Sequence, residues 1–420
     1  MMRRVRAAAL CAVLAAAAGA AIGQAPGQSR PNWLVPRQAA AGWLLLFDGE
    51  TSFGWAPRGD ARWSVGGGSL HADAGGPGVL ATTTAFASFE LRVDCRIAPG
   101  TNSGILLRGP DSGPITAANA VEVNLSPDDT RWPTGSLRGL AQATAGGAQQ
   151  GPWTRVVVRA AGRRFQVSLN GKPVAAAQAP RALARGVIAL QYGGLGRAEF
   201  RNVMLRPLGL KPLTDGKSLA GWNALPGHPS VYSVTPQGWI NVRGGNGDLQ
   251  SQQTFGDFVL QLGILSNGEH LNSGIFFRAT AGRFWSGYEC QIRNQWEGDD
   301  RSKPVDFGTG GIYGRQAARR VVSSDHAWFT MTVVAEGRHI ATWVDGVQVT
   351  DWVDPREPDE ENAREGSRTR AGVISLQGHD PTTDLSFRGI RAVELPPPTR
   401  PAAPARRAPR RGPAGGPTGR

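Results

Sequence analysis

The sequence YECQIR at residues 288–293 alternates strictly between apolar and polar side chains. Successive side chains of a β-strand point to opposite faces of its sheet, so the stretch predicts a strand with Glu289, Gln291 and Arg293 on one face. The sequence VEVNL at residues 121–125 alternates in the same way. We therefore expect two related sheets, each with one polar face.

These two strands are part of a longer internal repeat. DG followed by GW occurs at 48–55 and at 215–222, and NSGI occurs at 102–105 and 272–275 with an arginine four residues after each glycine. GVIALQ at 186–191 matches GVISLQ at 372–377. Because these matches keep the same order, the chain is predicted to contain two copies of one module, at 42–207 and 208–395.

Each copy has the pattern of an all-β module. Short runs rich in Val, Ile, Phe and Trp are separated by Gly, Pro, Asn and Asp, and helical periodicity is nearly absent. Asn170-Gly171 and Asp345-Gly346 favour two-residue hairpin turns, which need positive backbone angles. About a dozen short strands per copy favour a two-sheet sandwich. The predicted fold is two tandem jelly-roll β-sandwiches.

Both ends of the chain differ in composition from the repeat. Arginines and then an apolar run rich in Ala and Leu predict a signal peptide over residues 1–23, followed by a linker at 24–41. No later stretch is long and apolar enough to predict a membrane-spanning helix. Residues 396–420 are rich in Pro, Arg, Ala and Gly, which predicts a disordered tail. We expect a periplasmic or secreted protein.

Charge and cysteine content exclude several classes of function. The formal net charge is +13, but removing the arginines of residues 1–23 and of the tail leaves +4, which argues against a nucleic-acid surface. Cys95 and Cys290 fall at unmatched places in the two copies, so no disulfide framework is expected. Motifs typical of zinc proteases, phosphate loops and serine esterases are missing.

The candidate site lies in the second copy. Strand alternation places Gly274, Phe276 and Arg278 on one face, where the missing glycine side chain leaves room for a ligand; the alternative is a plain solvent-facing surface. Tyr313, in GIYG at 311–314, and His379, in QGHD at 377–380, are further candidates. The first copy has GLA at 139–141 and QYG at 191–193 at these points, so we predict activity in the second copy and scaffolding or binding in the first.

The strand offers a single carboxylate. An ordinary glycosidase needs two carboxylates across the scissile bond, whereas Glu289 is followed on the same face by the amide of Gln291. Double displacement is therefore not favoured. Thirteen tryptophans in two sandwiches are equally suited to a non-catalytic sugar-binding protein, and a structural envelope protein is a third alternative.

The motifs of the second copy, taken in order, resemble those of the 3-keto-disaccharide hydrolase family, formerly a domain of unknown function. They are the DG–GW opening, NSGIFFR at 272–278, YECQI at 288–292, GIYG at 311–314 and GVISLQGH at 372–379, and the resemblance extends over both copies. It implies a concanavalin A-like fold. The family often has Asp-His-Gly after the last glutamine, whereas this chain has Gly378-His379-Asp380.

The resemblance also implies an elimination reaction on 3-keto-glycosides. A ketone at C3 acidifies the hydrogen on C2, so one base, one enolate stabiliser and one proton donor suffice. The roles implied are as follows: Glu289 or His379 as base, Tyr313 as acid, and Arg278, Gln291 or a divalent cation as enolate stabiliser. Asn272, Phe276 and Gln377 complete the predicted substrate contacts. The predicted partner is a carbohydrate substrate.

Overall fold

The computed structural model describes residues 30–144, 152–361 and 364–397. The predicted signal peptide lies outside these ranges, as does most of the predicted tail. Within them the regular structure is nearly all β. The helix found there, Pro36–Ala40 (α1), spans five residues, and no helix of the described part has the length and hydropathy to cross a bilayer.

The first copy forms one antiparallel sheet of 11 strands in the described part of the chain. They are Leu44–Leu45 (β1), Trp55–Gly66 (β2), Ser69–Thr82 (β3), Phe89–Ile97 (β4), Ser103–Gly109 (β5), Val121–Asn124 (β6), Thr154–Ala161 (β7), Arg164–Leu169 (β8), Lys172–Gln178 (β9), Val187–Tyr192 (β10) and Ala198–Pro207 (β11). The order is β6-β5-β10-β3-β11-β4-β7-β8-β9, with β1 on β11 and β2 on β3. Strand β3 connects two layers, because its C-terminal part pairs with β10 and its N-terminal part with β11.

The second copy forms two separate sheets. Its strands are Lys211–Pro212 (β12), Trp222–Ala224 (β13), Val231–Val234 (β14), Ile240–Arg243 (β15), Gly247–Phe255 (β16), Phe258–Ser266 (β17), Ser273–Ala279 (β18), Tyr288–Ile292 (β19), Phe329–Glu336 (β20), His339–Val344 (β21), Val347–Val353 (β22), Gly372–Gly378 (β23) and Asp384–Glu394 (β24). One sheet has the order β14-β15-β24-β17-β20-β21-β22 with β12 on β24, and the other β13-β16-β23-β18-β19.

The long hairpin of the first copy is interrupted in the second. The connection from Trp222 to Tyr232 is two residues longer than its counterpart and contains Pro226 and Pro229, which have no N–H to donate to a neighbouring strand. Gly244 and Gly245, both with positive φ, break the partner strand at the same level. The interruption leaves the loop 225–230 beside the end of β16.

Both copies share hydrophobic core. Trp343 of the second copy is 1% exposed and lies in the main core cluster of the first, with Val259, Val334 and Leu395. Its indole N–H donates to the carbonyl of Leu45 at 3.2 Å. The two sandwiches are therefore joined by buried apolar surface as well as by the chain.

The predicted fold class is confirmed: the chain is all-β, with two tandem jelly-roll sandwiches. Both predicted hairpin turns are present, with φ of 48° at Asn170 and 46° at Asp345, followed by left-handed glycines. Part of the predicted linker is folded, since Leu34 and Ala39 are buried around α1. Cys95 and Cys290 are both free and buried.

Candidate functional site

The candidate site lies on the face of the β13-β16-β23-β18-β19 sheet that points away from the core, here called the polar face. Strand register aligns its side chains in two rows across the sheet. The first, called the amide row, consists of Asp248, Gln377, Gly274 and Gln291. The second, called the carboxylate row, consists of Gln250, Ser375, Phe276 and Glu289. The intervening residues Leu249, Leu376, Ile275 and Cys290 point into the core, as the alternation predicted.

Glu289 is the most strongly perturbed carboxylate of the polar face. It is 4% exposed, and burial raises the pKa of its carboxyl to about 7, against the smaller opposing effects of Arg364 and His379. A carboxyl group with a pKa near neutrality can take up or release a proton at physiological pH. Glu289 therefore has the protonation behaviour of a general base or acid.

Arg364 is the nearest cation to this carboxylate. Its Nη2 lies 3.3 Å from Glu289 Oε2. The guanidinium stacks 3.7 Å from the ring centre of Trp285 and lies 5.5 Å from that of Phe276. Trp285 itself is 47% exposed. Arg364 is thus held between two aromatic rings, with its charge directed at Glu289.

Gly274 gives the Glu289 carboxylate its space. A Cβ at residue 274 would lie 2.7 Å from both Cγ and Oε1 of Glu289, which is closer than real Cβ contacts allow. The glycine therefore lets the carboxylate lean over the neighbouring strand. The space that Gly274 leaves on this face is thus occupied by the Glu289 side chain, whereas the sequence predicted room for a ligand there.

The amide row presents acceptor oxygens. The Gln291 amide nitrogen donates to Asp306 Oδ2 at 2.9 Å and to Asn272 Oδ1 at 3.3 Å, and Asn272 donates to the same Asp306 oxygen at 2.9 Å. Gln291 Oε1 and Gln377 Oε1 are buried and have no hydrogen-bond partner among the described residues. Buried acceptors without partners are costly, so they suit the hydroxyl groups of a ligand.

Asp248 ends the amide row and was not among the predicted site residues. It is 1% exposed, and burial raises the pKa of its carboxyl, while a hydrogen bond from the Trp285 backbone N–H (2.9 Å) partly opposes the shift. Its second oxygen has no hydrogen-bond partner in the described part of the chain. His228, on the loop that interrupts the hairpin, contributes positive charge that favours the ionised form.

Tyr313 borders the carboxylate row, and His379 borders the amide row. The Tyr313 N–H donates to the Glu289 carbonyl at 2.9 Å, and the neighbouring pair Cys290–Ile312 forms a β-bridge. Residues directly opposite in an antiparallel pair share a face, so Tyr313 lies beside Glu289. His379 follows the last residue of β23, and its Nδ1 is 2.9 Å from Asp380 Oδ2. The structure thus brings Glu289, Gln291, Gln377, Tyr313 and His379 to one region, with Asn272 at its edge.

Arg278 does not reach this region. A bulge with φ of 48° at Arg278 breaks the alternation of β18, and the side chain is fully buried. Its guanidinium donates to Asp257 and to the carbonyls of Gly256 and Arg368. Arg278 therefore ties loops together beneath the sheet and cannot stabilise an enolate on the polar face; Arg364 is the cation in that position.

Phe276 is on the polar face but is not an open platform. Its ring is fully buried against Ala279 and Val373 and lies under Arg364. The predicted contact of Phe276 with substrate is therefore blocked in this structure. Trp285 is the exposed aromatic side chain of the region.

The first copy repeats the scaffold of the site. Glu122, Asn124 and Gln191 occupy the register positions of Glu289, Gln291 and Gln377. The Arg138 N–H donates to the Glu122 carbonyl at 3.0 Å, as the Tyr313 N–H donates to Glu289. The sequence match of residues 139–141 to 311–314 placed Ala141 at the position of Tyr313. The structure places Arg138 there, so the predicted match is wrong by three residues.

The site does not have the donor set of a metal centre. No group of three or more His, Cys, Asp or Glu side chains is placed to hold a metal ion in the described ranges. The buried oxygens of the amide row include a single carboxylate, Asp248, and Gln291 lies three strands away from it. Divalent cations prefer several converging oxygen ligands. The residues present do not fit the divalent cation that the resemblance allows.

Two residues of the candidate site escaped the sequence comparison for different reasons. Asp248 occupies the register position of Val79 in the first copy, so a full alignment of the repeats would have shown a carboxylate that is specific to the second copy. Arg364 lies in a charged connection between β22 and β23 and is placed only by tertiary packing. The sequence contained no local signal for it.

Comparisons with known proteins agree with the duplication. A family model described as the 3-keto-alpha-glucoside-1,2-lyase-like domain matches residues 42–206 and 209–392. No curated protein matches the chain significantly.

Several solved structures are similar to single copies. A glycosyl hydrolase-like protein of Parabacteroides distasonis is 20% identical, with 43% of this chain and 100% of that one covered and a TM-score of 0.37. The carbohydrate-binding module CBM66 of Bacillus subtilis is 17% identical, with coverages of 40% and 93% and a TM-score of 0.30. The β-glucanase of Bacillus licheniformis is 11% identical, with coverages of 40% and 97% and a TM-score of 0.31.

The two family matches together span most of the chain and coincide with the two copies of the repeat. The chain therefore belongs to the 3-keto-alpha-glucoside-1,2-lyase-like family, as a carbohydrate-active protein with two copies of the family domain.

Proposed function

We propose that the second copy cleaves 3-keto-glycosides by removing the C2 proton and eliminating the substituent at C1, after which water adds to the unsaturated sugar. The observation that carries this proposal is Glu289, a buried carboxylate with a pKa of about 7 in a domain of this family. A 3-keto group makes the C2 hydrogen acidic enough for a carboxylate base.

Glu289 acts as the base in the proposed reaction. Its pKa of about 7 makes the ionised form a stronger base than an ordinary carboxylate, and a substantial share of the molecules carries that form at neutral pH. Arg364, 3.3 Å from the carboxylate, supplies positive charge beside the position where the enolate oxygen develops. It takes the role that the sequence assigned to Arg278.

The leaving group takes its proton from Tyr313, with His379 as the alternative donor. Tyr313 lies beside Glu289 on the same face, and His379 is 40% exposed at the mouth of the region. In the first step the C2–H and C1–O bonds break, a C1=C2 bond forms, and the leaving oxygen gains a proton. In the second step water adds its hydroxyl to C1 and a proton returns to C2.

The first test is the release of the C1 substituent from 3-keto-glucosides and from the matching unoxidised glucosides. The chain from Gln24 is compared with its Glu289→Gln variant, and Glu122→Gln in the first copy serves as a matched control. We expect release from the keto substrates alone, a loss of at least 100-fold in Glu289→Gln, and no change in Glu122→Gln. No release by the wild type, or equal release by Glu289→Gln, would refute the proposal.

The donor is identified with two further variants. Tyr313→Phe keeps the ring and removes only the hydroxyl, and His379→Gln keeps a hydrogen-bonding side chain without a titrating ring. The true donor's variant should lose more rate on substrates with poor leaving groups than on activated aryl glycosides, because only poor leaving groups need protonation. Equal losses on both substrate types would assign neither residue as the donor.

Asp248 supports a second candidate function, direct hydrolysis by two carboxylates. Asp248 and Glu289 share the polar face, but three strand spacings and an offset of one row separate them, roughly 16 Å between their backbones. Inverting glycosidases place their carboxyl groups about 6.5–9.5 Å apart, so the two side chains would have to lean toward each other. Cleavage of unoxidised glucosides that is lost in Asp248→Asn would support this second function.

We also propose that the protein is exported. The basis is the arginine-led apolar run of residues 1–23. Fractionation of cells that express the full chain, with N-terminal sequencing of the product, tests this proposal: we expect a periplasmic or extracellular protein that begins at Gln24. An intact N-terminus in the cytoplasmic fraction would contradict it.

A further inference from the structure

A cleft of about 810 Å³ lies over β3 and β10 of the first copy, on the face that corresponds to the polar face of the second. The residues that line it include Arg58, Val79, Asn102, Ile115, Thr116 and Gln191. Its volume is in the range of roughly 300–1,000 Å³ that is usual for small-molecule sites. We propose that this cleft binds a neutral gluco-oligosaccharide without cleaving it.

The cleft keeps the amide half of the site. Gln191 and Asn102 correspond to Gln377 and Asn272 of the second copy, and Gln191 Oε1 is buried without a hydrogen-bond partner in the described ranges. Asn102 is exposed at the cleft. An acceptor left without a partner suits a sugar hydroxyl, which donates one hydrogen bond and leaves its oxygen free to accept another from an amide N–H.

The carboxylate half of the site is closed in the first copy. Three apolar residues, Ala81, Leu106 and Ala189, occupy the positions that correspond to Gln250, Phe276 and Ser375. Ile115 packs on these three residues and covers them. Glu122 is not among the residues that line the cleft, and it lies 3.6 Å from Arg138. The carboxylate that corresponds to the proposed base therefore does not face the cleft.

Two further groups of the second copy are replaced at the cleft. Val79 stands at the position of Asp248, and Gly193 at that of His379. Val79 provides apolar surface where the second copy has the Asp248 carboxylate. Gly193 leaves accessible backbone where the second copy has the His379 imidazole. A cleft with these linings can hold a sugar but has no residue to move its protons.

The charge of the lining favours a neutral ligand. Arg58 is the cation of the cleft, and its guanidinium already donates to the carbonyls of Pro110 at 2.9 Å and Asp111 at 2.7 Å. No Asp or Glu is among the residues that line the cleft in the described part of the chain. Amides, a threonine hydroxyl and the apolar faces of Val79 and Ile115 match the alternating polar and apolar surface of a saccharide. The choice of glucose units rests on the proposed function of the second copy.

The test measures binding of cellotetraose, maltotetraose and laminaritetraose by titration calorimetry, with the chain from Gln24 carrying Glu289→Gln to prevent turnover. Thr116→Trp fills the cleft from an exposed position, and Gln191→Leu removes the acceptor. The matched control is Gln166→Leu, at an exposed position of β8 that does not line the cleft. We expect one of the three sugars to bind, with binding abolished by Thr116→Trp, roughly tenfold weaker in Gln191→Leu, and unchanged in Gln166→Leu.

Two results would overturn the inference: no binding of any of the three sugars, or binding that Thr116→Trp leaves unchanged. Unfolding midpoints equal to that of the parent chain establish that the variants are folded. Failure of the keto-glucoside assay is a separate result, because that assay measures turnover in the second copy and this one measures binding in the first.

Discussion

Glu289→Gln should change how the stability of the protein depends on pH. Burial raises the pKa of the Glu289 carboxyl from 4.5 to about 7, and the side chain is only 4% exposed. The folded state therefore holds this proton more tightly than the unfolded state does. As pH rises from about 4.5 to about 7, the unfolded chain loses the proton first, so the free energy of unfolding falls, and the loss is complete above about pH 7.

The size of this effect follows from the pKa shift. One pKa unit corresponds to about 1.4 kcal/mol, so the shift of Glu289 lowers the free energy of unfolding by roughly 3 kcal/mol between pH 4.5 and pH 8. Glutamine has nearly the same shape and does not titrate. The pKa of Glu289 already includes the attraction of Arg364. Losing this attraction in Glu289→Gln therefore shifts the difference in unfolding free energy between variant and wild type by a constant amount and does not change how that difference varies with pH.

The assay compares unfolding midpoints of the wild type and Glu289→Gln from pH 4.5 to pH 8.5. All other titrating groups are common to both proteins and cancel in the difference to first order. The variant should gain stability relative to the wild type as pH rises, by about 3 kcal/mol in total or several degrees in Tm. A difference that is constant across this range would show that Glu289 titrates near its ordinary pKa, and the proposed base would then lack its distinguishing property.

Three further predictions concern activity on 3-keto-glucosides. Gly274→Ala should lower kcat/KM at least 100-fold because its Cβ would displace the Glu289 carboxylate, whereas Gly104→Ala in the first copy should leave steady-state rates unchanged. Arg364→Met should raise the pH midpoint of kcat/KM, because Arg364 lowers the pKa of Glu289, and a pH–rate profile measures this shift. Trp285→Ala should raise KM several-fold more than it lowers kcat, because the exposed indole is expected to contact substrate. A larger effect on kcat than on KM would instead show that Trp285 acts by positioning Arg364.

The alternation of YECQIR was enough to predict which side chains share the polar face. Side-chain period in a regular strand is fixed by backbone geometry, so Glu289 and Gln291 appear together on that face, with Cys290 in the core. The same rule failed at Arg278, because a β-bulge with positive φ adds a residue and resets the alternation. Alternation carries no information about bulges, which depend on the neighbouring strand.

The repeat itself contained a warning about Arg278. Arg108 stands at the same position in the first copy, has φ of 53° and is equally buried, with its guanidinium donating to the carbonyls of Gly162 and Leu183. The same burial, positive φ and carbonyl partners at both positions indicate a structural role for this arginine in each copy. Asp248 follows the opposite pattern, since Val79 stands at its register position in the first copy.

Residue identity alone does not separate the two copies, since Glu122 and Glu289 occupy the same register position and burial raises the pKa of both carboxyls. Their surroundings differ. Glu122 lies beside Arg138 and next to a surface closed by Ile115, whereas Glu289 faces Arg364, which an exposed tryptophan holds in place. Glu122 and Glu289 are equally buried, at 4% exposure, so the proposal that Glu289 is the base rests on these different neighbours. The proposed division of labour between the copies therefore follows from the loops that cover the two sheets, because the strands beneath them supply the same glutamate to each.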